Sequence, residues 1–310
     1  MTTLETTILA EGLLFPEGPV ALADGTVLVV EIARGTLTRV GTDGSVDVVA
    51  DVGGGPNGAA VAPDGSIIIC NNGTAFDYLD LGGLRIPVQP PTSWTAGSIQ
   101  RVELATGAVS ELYTECNGRG LRAPNDIVFD AHGGFYFTDH GLRLERASDT
   151  TSVFYAQPDG SSIREVIFPL DAPNGVGLSP AGDRIYVAET HTGRVWAWDV
   201  TGPGEVASHG GMHAGGTLLY GAAGLVMYDS LAVDSDGNVC VGTLGLGEGG
   251  ISVIAAGGGL VERYLFDDPL VTNICFGGPD RSTAFMTASG TGRLLSAPWP
   301  TPGLELAFNA

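Results

Sequence analysis

Short apolar runs and short polar breaks alternate along the whole chain, and one phrase of that pattern recurs six times. A residue with a side-chain oxygen opens an apolar run, a tight turn follows, and a β-branched or aromatic run comes next. The copies read EGPVALADGTVLVVE from Glu17, NGAAVAPDGSIIICN from Asn57 and NDIVFDAHGGFYFTD from Asn125. The others read NGVGLSPAGDRIYVAE from Asn174, DSLAVDSDGNVCVGT from Asp229 and NICFGGPDRSTAFMT from Asn273. Their starts lie 40, 68, 49, 55 and 44 residues apart. Each copy continues into a third strand-like run (GTLTRV, GSIQRV, SVFYAQ, GRVWAWD, GISVIA, GRLLSA), and most into a looser fourth such as VDVVAD or SELYTE. Four short strands per repeat at roughly 40–50 residues is the spacing of a propeller blade. The pattern therefore predicts an all-β chain, a six-bladed β-propeller forming a single domain over 1–310.

The sixth copy runs out after its third strand. At the other end, LETTILAEG has the form of an outer strand and leads straight into Glu17. The N-terminal strand is expected to pair with the C-terminal blade, which closes the ring and hides two open edges. Two stretches interrupt the period. Residues 71–97, rich in Pro, Gly and aromatics, read as an insertion after the second strand of blade two. A smaller insertion follows Asp199 in blade four.

In a blade the first strand runs away from its start and the second returns. Glu17, Asn57, Asn125, Asn174, Asp229 and Asn273 should therefore ring one mouth of the central channel. The turns after the second strands share that face and carry Glu31, Asn71, Asn72, Asp139, His140, Glu189, Thr190 and His191. The blade-two insertion starts there too, placed to cover the mouth as a rim or lid. Asn, Asp and Gly are favoured in turns for local reasons. Six aligned oxygen-bearing residues go beyond that preference. Two carboxylates and four amides suit a hard divalent cation such as calcium.

Composition narrows the partners. The net charge is −21, and all 14 basic residues are arginine. So acidic a surface disfavours nucleic acid and anionic membranes, and the absence of lysine removes Schiff-base and P-loop chemistry. Glycine, at 48 of 310 residues, suits many tight turns. Cys70, Cys116, Cys240 and Cys275 show no C-x-x-C spacing and read as core residues. With no signal peptide or long apolar run, a cytoplasmic location is expected. GGGPNG and GLGEGG satisfy G-x-G-x-x-G but open no helix, so no dinucleotide site is expected.

Several phrases carry a family resemblance: FPEGP at 15–19, APNDIVFDAHGGFYFTD at 123–139, PNGVGLS at 173–179, RIYVAET at 184–190 and TNICFGGPD at 272–280. From Leu13 to Leu295 the chain resembles the senescence-marker-protein/gluconolactonase/luciferin-regenerating-enzyme family. The resemblance implies a six-bladed propeller with one catalytic divalent metal, usually calcium, on its axis. It matches the metal ligands to Glu17, Asn174 and Asp229, with Asn125 either a fourth ligand or a substrate contact. Sugar-lactonase members often place a substrate-binding arginine two residues before that asparagine. Here that position is Ala123, with Arg122 beside it. The departure, together with the aromatic insertion, weighs against an aldonolactone substrate. Ser230 after Asp229 replaces a usual glycine.

The expected activity is metal-dependent hydrolysis of a lactone or similar cyclic ester, with Asp229 and Asn125 as catalytic groups, Asp229 as the first choice of base and His140 or His191 as the alternative base. Asn57, His140, His191, Asn273 and Arg122 are the expected substrate contacts, the two histidines being tuned near neutrality. Calcium is the first choice of cation, with zinc, manganese and magnesium as alternatives. The same metal site could serve phosphotriester hydrolysis, or enolisation leading to isomerase or carbon–carbon lyase chemistry. A third reading is a non-catalytic binding propeller. The expected partner is a small molecule, acting on a monomer or homodimer.

Overall fold

The structure is a computed structural model that describes residues 4–92, 94–207 and 212–309. Both the 1–310 domain expectation and the insertion after Asp199 include residues outside that set. Strand β1 (Thr7–Ala10) precedes a first unit of β2 (Pro16–Ala21), β3 (Val27–Glu31), β4 (Thr36–Val40) and β5 (Val46–Asp51). The second unit starts with β6 (Pro56–Val61) and β7 (Ile67–Asn71). An added hairpin follows, β8 (Asp77–Leu81) and β9 (Leu84–Val88), before β10 (Ser98–Glu103) and β11 (Ala108–Tyr113). A small hairpin, β12 (Glu115–Cys116) and β13 (Arg119–Gly120), leads to the third unit, β14 (Pro124–Phe129), β15 (Phe135–Asp139), β16 (Thr151–Ala156) and β17 (Ile163–Leu170). The fourth unit holds β18 (Pro173–Leu178), β19 (Arg184–Glu189), β20 (Arg194–Gly202), a short β21 (Glu205–Val206) and β22 (Thr217–Gly221). The fifth is β23 (Met227–Val233), β24 (Val239–Leu244), β25 (Gly250–Ile254) and β26 (Leu260–Leu265). The sixth is β27 (Leu270–Gly277), β28 (Thr283–Ala288) and β29 (Arg293–Pro298). Among the described residues the only helical element is a 3-10 turn, Met212–Gly215.

The arrangement is a β-propeller of antiparallel meanders. Among the described residues sheets of four or more strands number five, because Thr243↔Val271 and Leu244↔Leu270 pair β24 with β27 and fuse the last two units, with β1, into one eight-stranded sheet. Strand β1 pairs with β29, Thr7 facing Ser296 and Ile8 facing Leu295. The apolar pattern follows from position. Inner strands such as β14 and β18 are buried along their whole length, whereas outer strands such as β5 and β11 are largely exposed. Inner strands are covered on both faces by neighbouring units, so they read as continuous apolar runs instead of alternating ones. Each large apolar cluster spans two adjacent units. Ile68 and Ile99 meet Phe135 and Phe137, and Tyr136 and Val153 meet Ile185 and Trp196. Val27 and Val29 of the first unit meet Phe285 and Leu294 of the sixth. All four cysteines are buried and unbridged. Among the described residues no helix is long and apolar enough to cross a membrane.

Every inner strand carries a register shift at its ring residue: between Glu17 and Val20, Pro56 and Ala59, Pro124 and Ile127, Pro173 and Val176, Tyr228 and Leu231, and Val271 and Asn273. A bulge of this kind bends the strand and re-aims one side chain. The residue after it presses on the next inner strand. A Cβ on Gly18 would stand 2.6 Å from the Asn57 carbonyl oxygen, and one on Gly58 would stand 2.4 Å from that of Asn125. The N-G and E-G pairs are thus packing requirements of strands crowded at the axis.

Candidate functional site

The bulges bring Glu17, Asn57, Asn125, Asn174 and Asp229 together on the floor of a cavity of about 570 Å³ at one mouth of the channel. Glu17, Asn57, Asn125 and Asn174 are buried, while Asp229 is half-buried and the most open of the five. The Oδ1 atoms of Asn57 and Asn125 are buried without a hydrogen-bond partner. The Glu17 carboxylate accepts from its neighbour's amide, Gly18 N, at 2.6 Å and from Asn273 Nδ2 at 2.7 Å. Asn174 Nδ2 donates to Asp229 Oδ1 at 2.5 Å and to Thr190 Oγ1 at 3.1 Å, while Ser230 Oγ donates to Asn174 Oδ1 at 3.1 Å. Ser230 therefore holds the amide that faces Asp229.

Electrostatics on this floor are unfavourable for the protein alone. Burial raises Glu17 from 4.5 to about 7. Burial, then the Glu17 charge, pushes Asp229 well above the usual carboxylate range. Asp126, next to Asn125, is lifted to about 8, chiefly by burial, and accepts from Val176 N on the next inner strand at 3.0 Å. Neither Glu17 nor Asp229 has an ion-pair partner among the described residues. Two charged groups in one dry site repel and lose hydration, so each resists ionisation.

An oxygen donor set of two carboxylates and several amides, two with orphaned carbonyl oxygens, fits a hard divalent cation. It does not resemble the imidazole and thiolate set that zinc prefers. Among the described residues no group of three or more His, Cys, Asp or Glu side chains is placed to hold a metal. The candidate set contains just two carboxylates, so its donors are mainly amides.

Asn273 stands apart from the other ring residues. Its Nδ2 is spent on Glu17 and its Oδ1 accepts from Ile274 N at 2.7 Å, so it orients Glu17 and does not line the mouth cavity. Arg122 is also outside the cavity. Its Nε donates to Asp149 Oδ2 at 2.9 Å, and its guanidinium lies 4.5 Å from the centre of the Trp94 ring. Its own amide N is drawn to Asp139, so the side chain turns outward and staples the base of the insertion.

His140 and His191 do line the cavity, ring to ring at 5.4 Å, with Phe76 edge-on to His140 at 6.0 Å. Burial works against the expectation that they titrate near neutrality. Burial lowers His140 below its ordinary range, and burial followed by its neighbour His140 takes His191 down to about 4. His191 Nε2 is buried without a partner.

The acidic and amide residues on the same face serve the scaffold. Glu31 accepts from Leu14 N, Asn71 Oδ1 from Gly55 N, Asp139 from Ala123 N and Glu189 from Asp171 N. Each clamps the loop that enters its own unit's inner strand. Their recurrence at the end of the second strand was the signal for that role.

The insertion forms the β8–β9 hairpin, and Phe76, Ile86, Val88 and Pro90 reach the cavity from it. Arg85 N donates to Gly290 O at 2.7 Å, and Tyr78 packs on Phe15 at 5.1 Å, so the lid is tied to the sixth and first units. The Tyr78 hydroxyl is buried without a partner, its pKa raised by burial with Glu17 and Asp229 adding to the rise. Phe15 opens the FPEGP phrase and Tyr78 lies in the aromatic insertion, but nothing in the sequence marked the contact between them.

Fold and floor together define a propeller with an oxygen-lined axial site under a lid. Residues 15–290 match the family model described as the SMP-30/Gluconolactonase/LRE-like region, and the chain belongs to that family. It is 27% identical to the gluconolactonase of Zymomonas mobilis, over 91% of this chain and 78% of that protein. It is 30% identical to lactonase drp35 of Staphylococcus haemolyticus over 74% of this chain, an alignment that spans 64% of that protein's length. The solved structure of the calcium-binding protein regucalcin from Agrobacterium tumefaciens shares the fold, with a TM-score of 0.75, 18% identity and full coverage of both chains.

Proposed function

We propose that this protein is a metal-dependent lactonase that uses one divalent cation, calcium first, held by Glu17, Asn125, Asn174 and Asp229. The observation that carries the reading is the floor itself: two carboxylates without counter-charge beside the orphaned amide oxygen of Asn125, with that of Asn57 next to them. Relatives named gluconolactonase and lactonase support the reaction class. When bound there, the cation would polarise an ester carbonyl and stabilise the negative charge that develops on it.

The chain's own residues supply the rest. Asp229, the most open carboxylate, takes a proton from the attacking water. The water oxygen bonds to the carbonyl carbon, the ring C–O bond breaks, and the leaving oxygen is protonated, giving a hydroxy carboxylate and one released proton. Asn57 orients the substrate from the floor, and the neutral His140–His191 pair forms a polar wall that exchanges hydrogen bonds without charge. Asn273 and Ser230 position Glu17 and Asn174.

We read the scaffold as six blades in a single domain, closed by β1. The β1–β29 pairing and the shared apolar cluster of the first and sixth units support this. A small-molecule substrate and a cytoplasmic monomer or homodimer complete the proposal.

The test is a lactone panel assayed with calcium, magnesium, manganese and zinc, on wild type and Asp229→Asn. Calcium-dependent ring opening, reduced about 10³-fold in the variant, is the expected result. Hydrolysis that persists in excess chelator would overturn the metal role. A panel with no turnover, together with no calcium binding, would favour a non-catalytic propeller.

A further inference from the structure

We infer that the substrate is an uncharged lactone carrying a hydrocarbon group, not a polyhydroxylated sugar lactone. This rests on the lactonase reading and specifies its substrate class. The cavity above the floor has two unlike arcs. One is built from the first and fifth units and the lid, and presents mainly carbon: Phe15, Ile32, Phe76, Ile86, Val88 and Leu244, with Gln89 the polar lid side chain in the lining. The other, from the third and fourth units, carries the His140–His191 pair with Thr190.

A sugar lactone brings several hydroxyls, and each hydroxyl buried without a partner loses its hydrogen bonds to water. Those six side chains offer none in return. An alkyl or aryl group gains there what a hydroxyl loses. A carboxylate on the substrate is equally disfavoured. Arg143, the one basic side chain in the lining, sits exposed at the rim with Glu145 two residues on. The floor holds two carboxylates, and the chain as a whole carries −21.

The apolar arc is also preorganised. The lid is pinned by the Arg85–Gly290 bond, by Tyr78 on Phe15, by Trp94 Nε1 donating to Asn72 O at 3.1 Å, and by Arg122 over Trp94. A wall fixed in advance binds apolar groups without an ordering cost. Its carbon surface is therefore a specificity device, with the ester at the ring of oxygens and the tail against the lid.

The experiment uses the calcium-loaded protein and a series of δ-lactones: unsubstituted, butyl-, hexyl- and aryl-substituted, and glucono-δ-lactone. Ring opening is followed by proton release. The expected result is a kcat/KM that rises about fourfold per methylene until the arc is filled. The sugar lactone should fall at least about 100-fold below the hexyl lactone. Ile86→Gln and Val88→Thr, on the half-buried lid strand, should flatten the chain-length slope mainly through KM. A glucono-δ-lactone rate equal to or above that of the hexyl lactone would overturn the substrate class while leaving the lactonase reading intact. Should no lactone turn over, calorimetry with the hexyl δ-lactam separates the two claims. Binding of the lactam that strengthens with chain length upholds the apolar site and sinks only the hydrolysis. No binding sinks both.

Discussion

Glu17 offers the sharpest test of the electrostatic argument, because its cost to the metal-free protein can be worked out. Its carboxyl rises from 4.5 to about 7 on folding, through burial. For an acid with a raised folded pKa, the folded state holds the proton more tightly than the unfolded chain. The protein therefore loses stability as pH climbs from about 4.5 to 7, and the deficit is constant above. At about 1.4 kcal/mol per pH decade the full deficit is roughly 3 kcal/mol. Glu17→Gln copies the neutral form and can still accept from Gly18 N and Asn273 Nδ2. In excess chelator the variant should be the more stable protein, by about 3 kcal/mol at about pH 8.5 and by about 1 kcal/mol at about pH 5.

Thermal unfolding reads this directly. A folding entropy of about 2.1 cal/mol/K per residue gives a chain of 310 residues a Tm rise of about 5 °C at the higher pH. Saturating calcium should reverse the order, since a ligand that binds the folded form stabilises it and the variant has lost one charged donor. The reasoning fails if the Tm difference is the same at both pH values, or if the variant is the less stable protein in chelator at high pH.

Other consequences are checked as easily. Tyr78→Phe removes a buried hydroxyl that has no partner, so Tm in chelator should rise by the equivalent of about 1–2 kcal/mol; a fall would show that the hydroxyl is satisfied. With His191 taken down to about 4 by burial and by its neighbour His140, kcat/KM should show no limb from His191 between about pH 5.5 and 7.5; a limb in that range that vanishes in His191→Ala would refute this. Arg122→Ala loses a partly exposed ion pair with Asp149 and the contact with Trp94. It should cost about 1 kcal/mol or less and raise KM a few-fold through a looser lid, with kcat unchanged. A large kcat loss would place Arg122 in the chemistry after all.

The repeats made the strands and the ring of oxygens legible, because each ring residue opens an apolar run at the same point of the phrase. The pairing of β24 with β27 was not legible. It involves two residues at each strand end, where neighbouring units approach within hydrogen-bond reach, and no residue type signals that. Asn273 read as a substrate contact, yet the residue on the adjacent inner strand decides its role: Glu17 takes its amide. Arg122 read as a substrate contact because of its place beside the asparagine motif. Its direction was set instead by Asp139 drawing in its backbone amide and by Trp94, brought from the insertion.

The same comparison explains where specificity resides. The floor is dictated by the fold: a bulge at each inner strand aims one side chain at the axis, and in the first five units the next residue is glycine or one that bonds its neighbour, as Asp126 bonds Val176 and Ser230 bonds Asn174, while the sixth places Ile274 there. Substituting there alters the packing of the axis and the proposed cation site together, so the floor should change little without loss of both. The lid carries no such constraint. Its hairpin is an addition between β7 and β10, fastened at a few points, and its cavity-facing residues touch substrate space and not the axis. Changes of substrate should therefore map to β8–β9 and the rim loops, and Phe76, Ile86 and Val88 are the positions at which exchanging apolar for polar side chains should shift the substrate range while the oxygen floor stays intact.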